Sequence, residues 1–423
     1  MRILWLNANL LLPLDKGGKI RTWHLMRHLA RRHDITYLTF AEDAEAAAVR
    51  TAMREVCSSV VNVPRRDPAK GTAAFYASAA VHLLDPLPYA VAKYRSKAYR
   101  LALEELVEHG GFDRVVCDFL VPAVNLRATL PCPSILFTHN VESEIWRRHA
   151  ENATHPIWKR LYQRQWRRML RFEAKTLSRF DRLLAVSDAD AQTFRRLYGP
   201  SVTAPIDVVP TGVDTEFFTP TPDAFLRPHH IAFLGSMDWM PNEDAVLFFC
   251  REVLPRIRQS VPDATLSIVG RSPTPAVKRL ASERGIEVTG TVGDVRPWLG
   301  QAATTVVPLR IGGGTRLKIF EAMAAGKAVV STTVGAEGLP AEPDRHLLIA
   351  DGAEAFAAAV VRVLREPALR HALERDARAL VLDHYDWAVA AARLERSLTD
   401  AAPATAGVAA SFVRPHAAAR ISS

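Results

Sequence analysis

Short apolar runs alternate with amphipathic stretches along almost the whole chain. One series of runs lies at 2–7, 34–40, 59–63, 113–118, 133–138, 182–187 and 206–210. A second lies at 230–235, 264–270, 286–289, 304–308, 328–331 and 347–349. Runs that are apolar throughout, rather than at every second position, predict strands buried on both faces. Strands separated by helical periodicity predict parallel sheets covered by helices. A chain of 423 residues also exceeds the size at which a single core keeps growing. The expected fold class is therefore α/β, with two Rossmann-like, doubly wound parallel-sheet domains. The proline-rich segment Phe218-Thr219-Pro220-Thr221-Pro222-Asp223 is the expected linker, between a domain over 1–218 and another over 224–385. The Ala-rich tail at 401–423 has few large apolar residues and is expected to be mobile.

One amphipathic stretch stands apart. Over 158–180, Trp158, Tyr162, Trp166, Met169, Leu177 and Phe180 share one face at helical spacing. Arg160, Arg164, Arg167, Arg168, Arg171 and Lys175 gather on the other. The pattern predicts a helix packed by its apolar face, with a solvated basic face able to meet anionic lipid.

Charge sharpens that expectation. Residues 1–200 hold 31 Lys/Arg and 20 Asp/Glu, a net of +11, and the remainder has a net of −2, giving the overall +9. The basic half suggests an anionic membrane surface or acceptor. No helix-turn-helix, RRM or zinc-finger pattern is present, so nucleic acid is not an expected partner. No apolar run reaches the ~18 residues of a spanning helix. The opening Arg2-Ile3-Leu4-Trp5-Leu6-Asn7 reads as a first strand rather than a signal peptide. Cys57, Cys117, Cys132 and Cys250 lack CxxC spacing, which suits a reducing compartment and predicts no zinc site.

Candidate chemistry concentrates at Arg310-Ile311-Gly312-Gly313-Gly314-Thr315-Arg316-Leu317-Lys318-Ile319-Phe320-Glu321, between the runs at 304–308 and 328–331. Glycines in a strand-to-helix turn let a ligand approach the backbone. The helix start beyond them offers unpaired N–H groups and the positive end of a dipole, which suits a phosphate. Arg316 and Lys318 add full charge. Glu321, about one and a half turns on, is placed to accept hydrogen bonds from sugar hydroxyls. A P-loop is absent, and GxGxxG fails at Leu317. A diphosphate carrying a ribose fits the combination.

This segment, continued through Ala322-Met323-Ala324-Ala325-Gly326, resembles the donor site of retaining glycosyltransferases of family 4, which have the GT-B fold. So do Val209-Pro210-Thr211-Gly212-Val213-Asp214, Phe233-Leu234-Gly235-Ser236, Gly290-Thr291-Val292-Gly293-Asp294-Val295, Gly17-Gly18 and Thr138-His139-Asn140. The match covers nearly the whole chain in order, and its flavour is that of bacterial exopolysaccharide sugar transferases, including those associated with PEP-CTERM export. The resemblance implies two domains facing across a cleft, with a last helix at about 386–400 crossing back to the first domain. It implies a nucleotide-sugar donor (UDP-, GDP- or ADP-linked), a lipid-linked or polysaccharide acceptor, no metal and no other cofactor, and a cytoplasmic location peripheral to the membrane. Its catalytic candidates are His139 at the donor sugar, Lys318 at the diphosphate and Glu321 at the ribose. Gly17, Gly18, Gly235, Ser236, Gly312, Gly313, Gly314, Thr315, Arg316 and Val292 would complete the donor site.

Two departures from the pattern matter. Gly313 stands eight residues before Glu321, where relatives carry a first glutamate that contacts the donor sugar. Ser236 stands where relatives often carry a diphosphate-binding arginine, and the lysine that follows it in them is missing here. Arg316 and Lys318 are the expected compensation. The loss of both groups keeps open a sugar-nucleotide-binding protein without transferase activity; a Rossmann oxidoreductase is disfavoured by the failed GxGxxG. Asp188-Ala189-Asp190 has DxD spacing but reads as a helix N-terminal cap.

Overall fold

The structure is a computed structural model, and it describes residues 1–14, 17–65, 71–127, 130–153, 155–199, 202–311 and 317–401. Gly312, Gly313, Gly314, Thr315 and Arg316 lie outside the described residues, as does the tail beyond Ala401.

Among the described residues, thirteen strands form where the apolar runs place them. The first sheet contains β1 (Arg2–Leu6), β2 (Asp34–Phe40), β3 (Ser59–Val63), β4 (Arg114–Asp118), β5 (Ser134–Phe137), β6 (Arg182–Ala185) and β7 (Ile206–Val208), in the order β3-β2-β1-β4-β5-β6-β7. The second contains β8 (His230–Leu234), β9 (Thr265–Val269), β10 (Ile286–Gly290), β11 (Thr304–Val307), β12 (Ala328–Ser331) and β13 (Leu348–Ile349), in the order β10-β9-β8-β11-β12-β13. Every strand pairing is parallel. Ile3, Trp5, Val116 and Phe137 bury one face of the first sheet, while Leu4, Leu6, Val115 and Cys117 bury the other. That two-sided burial is why these strands read as unbroken apolar runs.

The chain crosses between the layers early. Val209 packs in the first core, whereas Val213 and Phe218 pack in the second. Pro220, which follows, lies against the second layer: a β-carbon at Gly326 would come within 3.1 Å of it. The helix Trp387–Asp400 returns to the first layer, where Trp387, Ala390, Leu394 and Leu398 share a core with Trp23, Met26 and Leu29.

The amphipathic helix spans Pro156–Leu177. Arg160, Arg164, Arg167, Arg171 and Lys175 are exposed. Arg168 is not on that solvated face: it is buried and donates from Nη1 to the Leu83 carbonyl at 2.8 Å. The helix Ala73–Leu84 ends beside it and supplies an acceptor that no helical wheel of 158–180 contains. At the other extreme, Ile157 and Trp158 are 70% and 53% exposed, so the apolar stripe is packed only from its middle onward. Phe180 is buried beyond the helix end. Arg168→Ala is expected to cost about 1–3 kcal/mol, because it removes the partner of a partly buried carbonyl together with a packed stem. Arg164→Ala should stay within about 0.5 kcal/mol. Urea melts of the two variants check the contrast.

The cap of Asp188–Tyr198 also differs from expectation. Ser187 is the N-cap, its Oγ accepting from the Asp190 amide at 3.1 Å, and the two aspartates fill the first turn. There they complement the helix dipole.

Candidate active site

Strand order reverses between β1 and β4 in the first sheet and between β8 and β11 in the second. Ligand crevices of open α/β sheets form at such points, beyond the carboxyl ends of the strands. In the second sheet β8 and β11 pair only over Ile231–Ala232 and Thr304–Thr305.

Gly235 follows β8 directly. A β-carbon there would lie 2.7 Å from Asn242 Nδ2 and 2.8 Å from Lys318 Nζ. The missing side chain thus lets a cation from the far side of the switch point reach the backbone after β8. Lys318, on the helix Leu317–Ala324, donates to Asn242 Oδ1 at 2.7 Å, and its Nζ lies 4.6 Å from the Phe233 ring centroid. Two fixed contacts hold the ammonium in place, which suits charge stabilisation without reorganisation.

Gly235, Ser236, Val292, Lys318 and Glu321 line one cavity of about 300 Å³. Glu321 is half-buried. Burial pushes its carboxyl up to about 7, while Lys318 pulls in the opposite direction. A desolvated carboxylate gains most from a polyhydroxyl ligand that replaces its lost water. The same cavity takes in Thr291 and Val295 of the motif around Val292, and Gly270 and Arg271, which the sequence alone did not single out.

The first sheet brings together a second cluster. His139 follows β5, with its side chain 6% exposed. Its Nε2–H donates to Asp118 Oδ1 at 2.7 Å. Asp118 ends β4, is fully buried, and accepts through Oδ2 from Asn7 Nδ2 at 2.8 Å and Thr22 Oγ1 at 2.7 Å. Phe119, in the left-handed region at φ 69°, stacks on the imidazole at 3.6 Å and 11°. Ring orientation and tautomer are therefore set together, leaving Nδ1 as the acceptor of the neutral ring. Burial holds the imidazole below its usual range, aided by Arg21 and opposed by Asp118.

Gly17 and Gly18 open the helix Gly17–Leu29. A β-carbon at Gly18 would meet the Phe119 ring at 2.5 Å and lie 3.5 Å from His139 Nδ1. One at Gly17 would lie 3.5 Å from Leu317 Cδ1, the residue before Lys318. The glycine pair is thus where the histidine cluster and the Lys318 helix approach one another. Arg160, Arg164, Arg167, Arg171 and Lys175 belong to the separate basic surface described above.

Two family models tile the chain. The one described as Glycosyltransferase Family 4 matches residues 16–217, and the one described as Glycosyl transferases group 1 matches 228–366. The chain belongs to the family 4 glycosyltransferases. It is 29% identical over 244 residues to a GDP-mannose-dependent alpha-(1-6)-phosphatidylinositol monomannoside mannosyltransferase of Mycolicibacterium smegmatis. That alignment covers 50% of this chain and 63% of the relative, so it spans less than two-thirds of the relative's length. It is 22% identical over 389 residues to an uncharacterized 44.6 kDa protein in the cps region of Klebsiella pneumoniae, covering 88% of this chain and 94% of that one. Among solved structures, the Anabaena Alr3699/HepE complex with UDP and glucose superposes with a TM-score of 0.63 at 14% identity, covering 95% and 100% of the two chains. At that identity the likeness shows the GT-B fold: in this family 4 glycosyltransferase, the seven- and six-stranded parallel sheets described above.

Proposed function

We propose that the chain is a retaining glycosyltransferase that moves a sugar from a nucleotide-sugar donor to a lipid-linked or polysaccharide acceptor, in exopolysaccharide or cell-envelope glycan synthesis. The observation that carries the reading is the shared cavity of Gly235, Lys318 and Glu321 at the switch point of the second sheet. The relatives support it: one is named as using GDP-mannose, one fold neighbour binds UDP and glucose, and one lies in a cps region.

In this reading Val292 lies at the base and Glu321 accepts from the ribose. Lys318 meets the diphosphate with Gly312, Gly313, Gly314, Thr315 and Arg316, and no metal ion is needed to neutralise the leaving group. His139 faces the donor sugar. Departure of the diphosphate builds negative charge on the β-phosphate and positive charge on the sugar, and a fixed ammonium and a neutral imidazole Nδ1 oppose each of them. The exposed basic face of Pro156–Leu177, with Ile157 and Trp158 at its start, binds the anionic inner face of the membrane. No helix of the described residues is long and apolar enough to cross a membrane.

Thermal shifts with UDP, GDP, ADP and NAD test the donor reading. A cognate nucleoside diphosphate at ~100 times its Kd should add about 2.7 kcal/mol. A response to NAD alone would overturn it. Donor turnover with retained anomeric configuration tests the reaction. Salt-sensitive flotation on vesicles containing anionic lipid, lost on charge reversal of Arg160, Arg164 and Arg167, tests the surface.

A further inference from the structure

Position 236 lacks the arginine that relatives often carry, and the loop beside it places an arginine at that point. Gly235 and Gly270 end the neighbouring strands β8 and β9 in direct contact. A β-carbon at Gly270 would sit 1.7 Å from the Gly235 carbonyl oxygen, so the two loops touch through bare backbone. Their pairing continues outward: the Gly235 amide donates to Val269 O at 3.0 Å and the Met237 amide to Arg271 O at 2.9 Å. Residues 236 and 271 therefore leave the sheet side by side. Ser272 turns the chain immediately afterwards in the left-handed region, at φ 55°, a conformation that costs a non-glycine residue energy and that a surrounding structure must enforce.

The side chains complete the arrangement. Arg271 Nε donates to Ser236 Oγ at 2.7 Å, and the guanidinium lies 3.6 Å from Asp238. Ser236 Oγ in turn donates to Asp238. A short hydroxyl at 236 is thus the stem's partner, where a second arginine would collide with the first in both space and charge. Among the described residues, Arg310, which follows β11, is committed to Asp244 through two hydrogen bonds. Among the described residues that line the cavity, the cations are Arg271 and Lys318.

We propose that Arg271 is a diphosphate-binding residue of the donor site, supplied from the loop after β9 in place of the side chain absent at Ser236, with Asp238 and Ser236 steering its guanidinium. A planar guanidinium with five donors can engage two phosphate oxygens at once, which a single ammonium cannot. The inference rests on the nucleotide-sugar reading of the same cavity.

The test uses the full-length protein and calorimetric titration of UDP, GDP and ADP, together with the matching nucleosides. The nucleoside diphosphate bound best by the wild type is the probe. If the wild type binds none of them, the donor reading itself falls, and this inference with it. If it binds one, Arg271→Ala is expected to weaken that diphosphate tenfold or more. Binding of the nucleoside should stay within twofold, and the melting temperature should hold, since this side chain is 44% exposed. A diphosphate loss below tenfold would overturn the assignment while leaving the donor reading intact. So would an equal loss for nucleoside and diphosphate, which would mark a general disturbance of the pocket. Asp238→Asn removes the carboxylate that steers the guanidinium and is expected to weaken diphosphate binding by a smaller factor than Arg271→Ala; unchanged or stronger binding would overturn the steering role given to Asp238.

Discussion

Replacing His139 with alanine is expected to lower donor turnover by about two to three powers of ten, the scale on which one preorganised transition-state contact acts. Nucleotide affinity should stay within about threefold, because the imidazole is assigned to the sugar and not to the diphosphate. The argument rests on the ring's fixed tautomer. Asp118 accepts from Nε2 at 2.7 Å, so the lone pair of Nδ1 is left for the cleft, beside Gly18. A neutral imidazole presents the negative end of its dipole to a sugar gaining positive charge; an imidazolium would repel it. Burial keeps the pKa below the usual histidine range, with Asp118 opposing that shift. Activity should therefore be lost on acidification through the lowered pKa and be flat above it. Asp118 is a positioning residue, and Asp118→Asn separates that role from simple folding. It should reduce kcat by about ten- to a hundredfold with little change in KM. It should also move the acid limb of the profile to lower pH, because the carboxylate that raises the histidine pKa has gone. A purely structural aspartate would leave the limb where it was.

The two sheets were legible because both faces of each are covered. Central strands such as Thr304–Val307 and Ala328–Ser331 are buried at every position, so no alternation obscured them. Gly235 at a strand end, and Lys318 and Glu321 on the helix Leu317–Ala324, were singled out through family motifs, and they line one cavity. Their partners were not. Asn242 reaches Lys318 across 76 residues, and Asp118 reaches His139 only because β4 and β5 are adjacent. Both are consequences of sheet order, which a linear pattern does not carry. Arg271 had a faint signal: Gly270 closes an apolar run next to the run that Gly235 closes, and glycine at such a point means close backbone approach. Arg168 failed for the opposite reason. Its own helix places it with the surface arginines, and only the end of another helix at Leu83 makes it interior.

Glu321→Gln is expected to do two opposite things, and that opposition is what identifies the carboxylate as functional. The folded-state pKa is raised from the ordinary 4.5 to about 7 by burial. Between those values the native protein keeps a proton that the unfolded chain has released, so stability falls as pH rises through the window. Above about 7 both states are ionised and the penalty is constant. Discounted because the side chain keeps some contact with water, it is on the order of 1–2 kcal/mol. Glutamine removes it, and at pH 8 the melting temperature should rise by roughly 2–6 °C. The same substitution should weaken the cognate nucleotide by about ten- to a hundredfold, because a neutral amide oxygen replaces a charged acceptor for the ribose hydroxyls. The wild type should show the corresponding pH dependence. Ligand binding selects the carboxylate, so affinity should decline as pH drops below about 7, while the glutamine variant stays flat. Titrations at pH 6 and pH 8, beside melts of the unliganded proteins, check all four expectations. A more stable variant with undiminished nucleotide affinity would remove Glu321 from the donor site and leave its buried charge as a defect of the fold. Lower stability together with lower affinity would make the residue a structural strut. Only a gain in stability joined to a loss of binding fits a charge kept in an unfavourable place for the sake of its ligand.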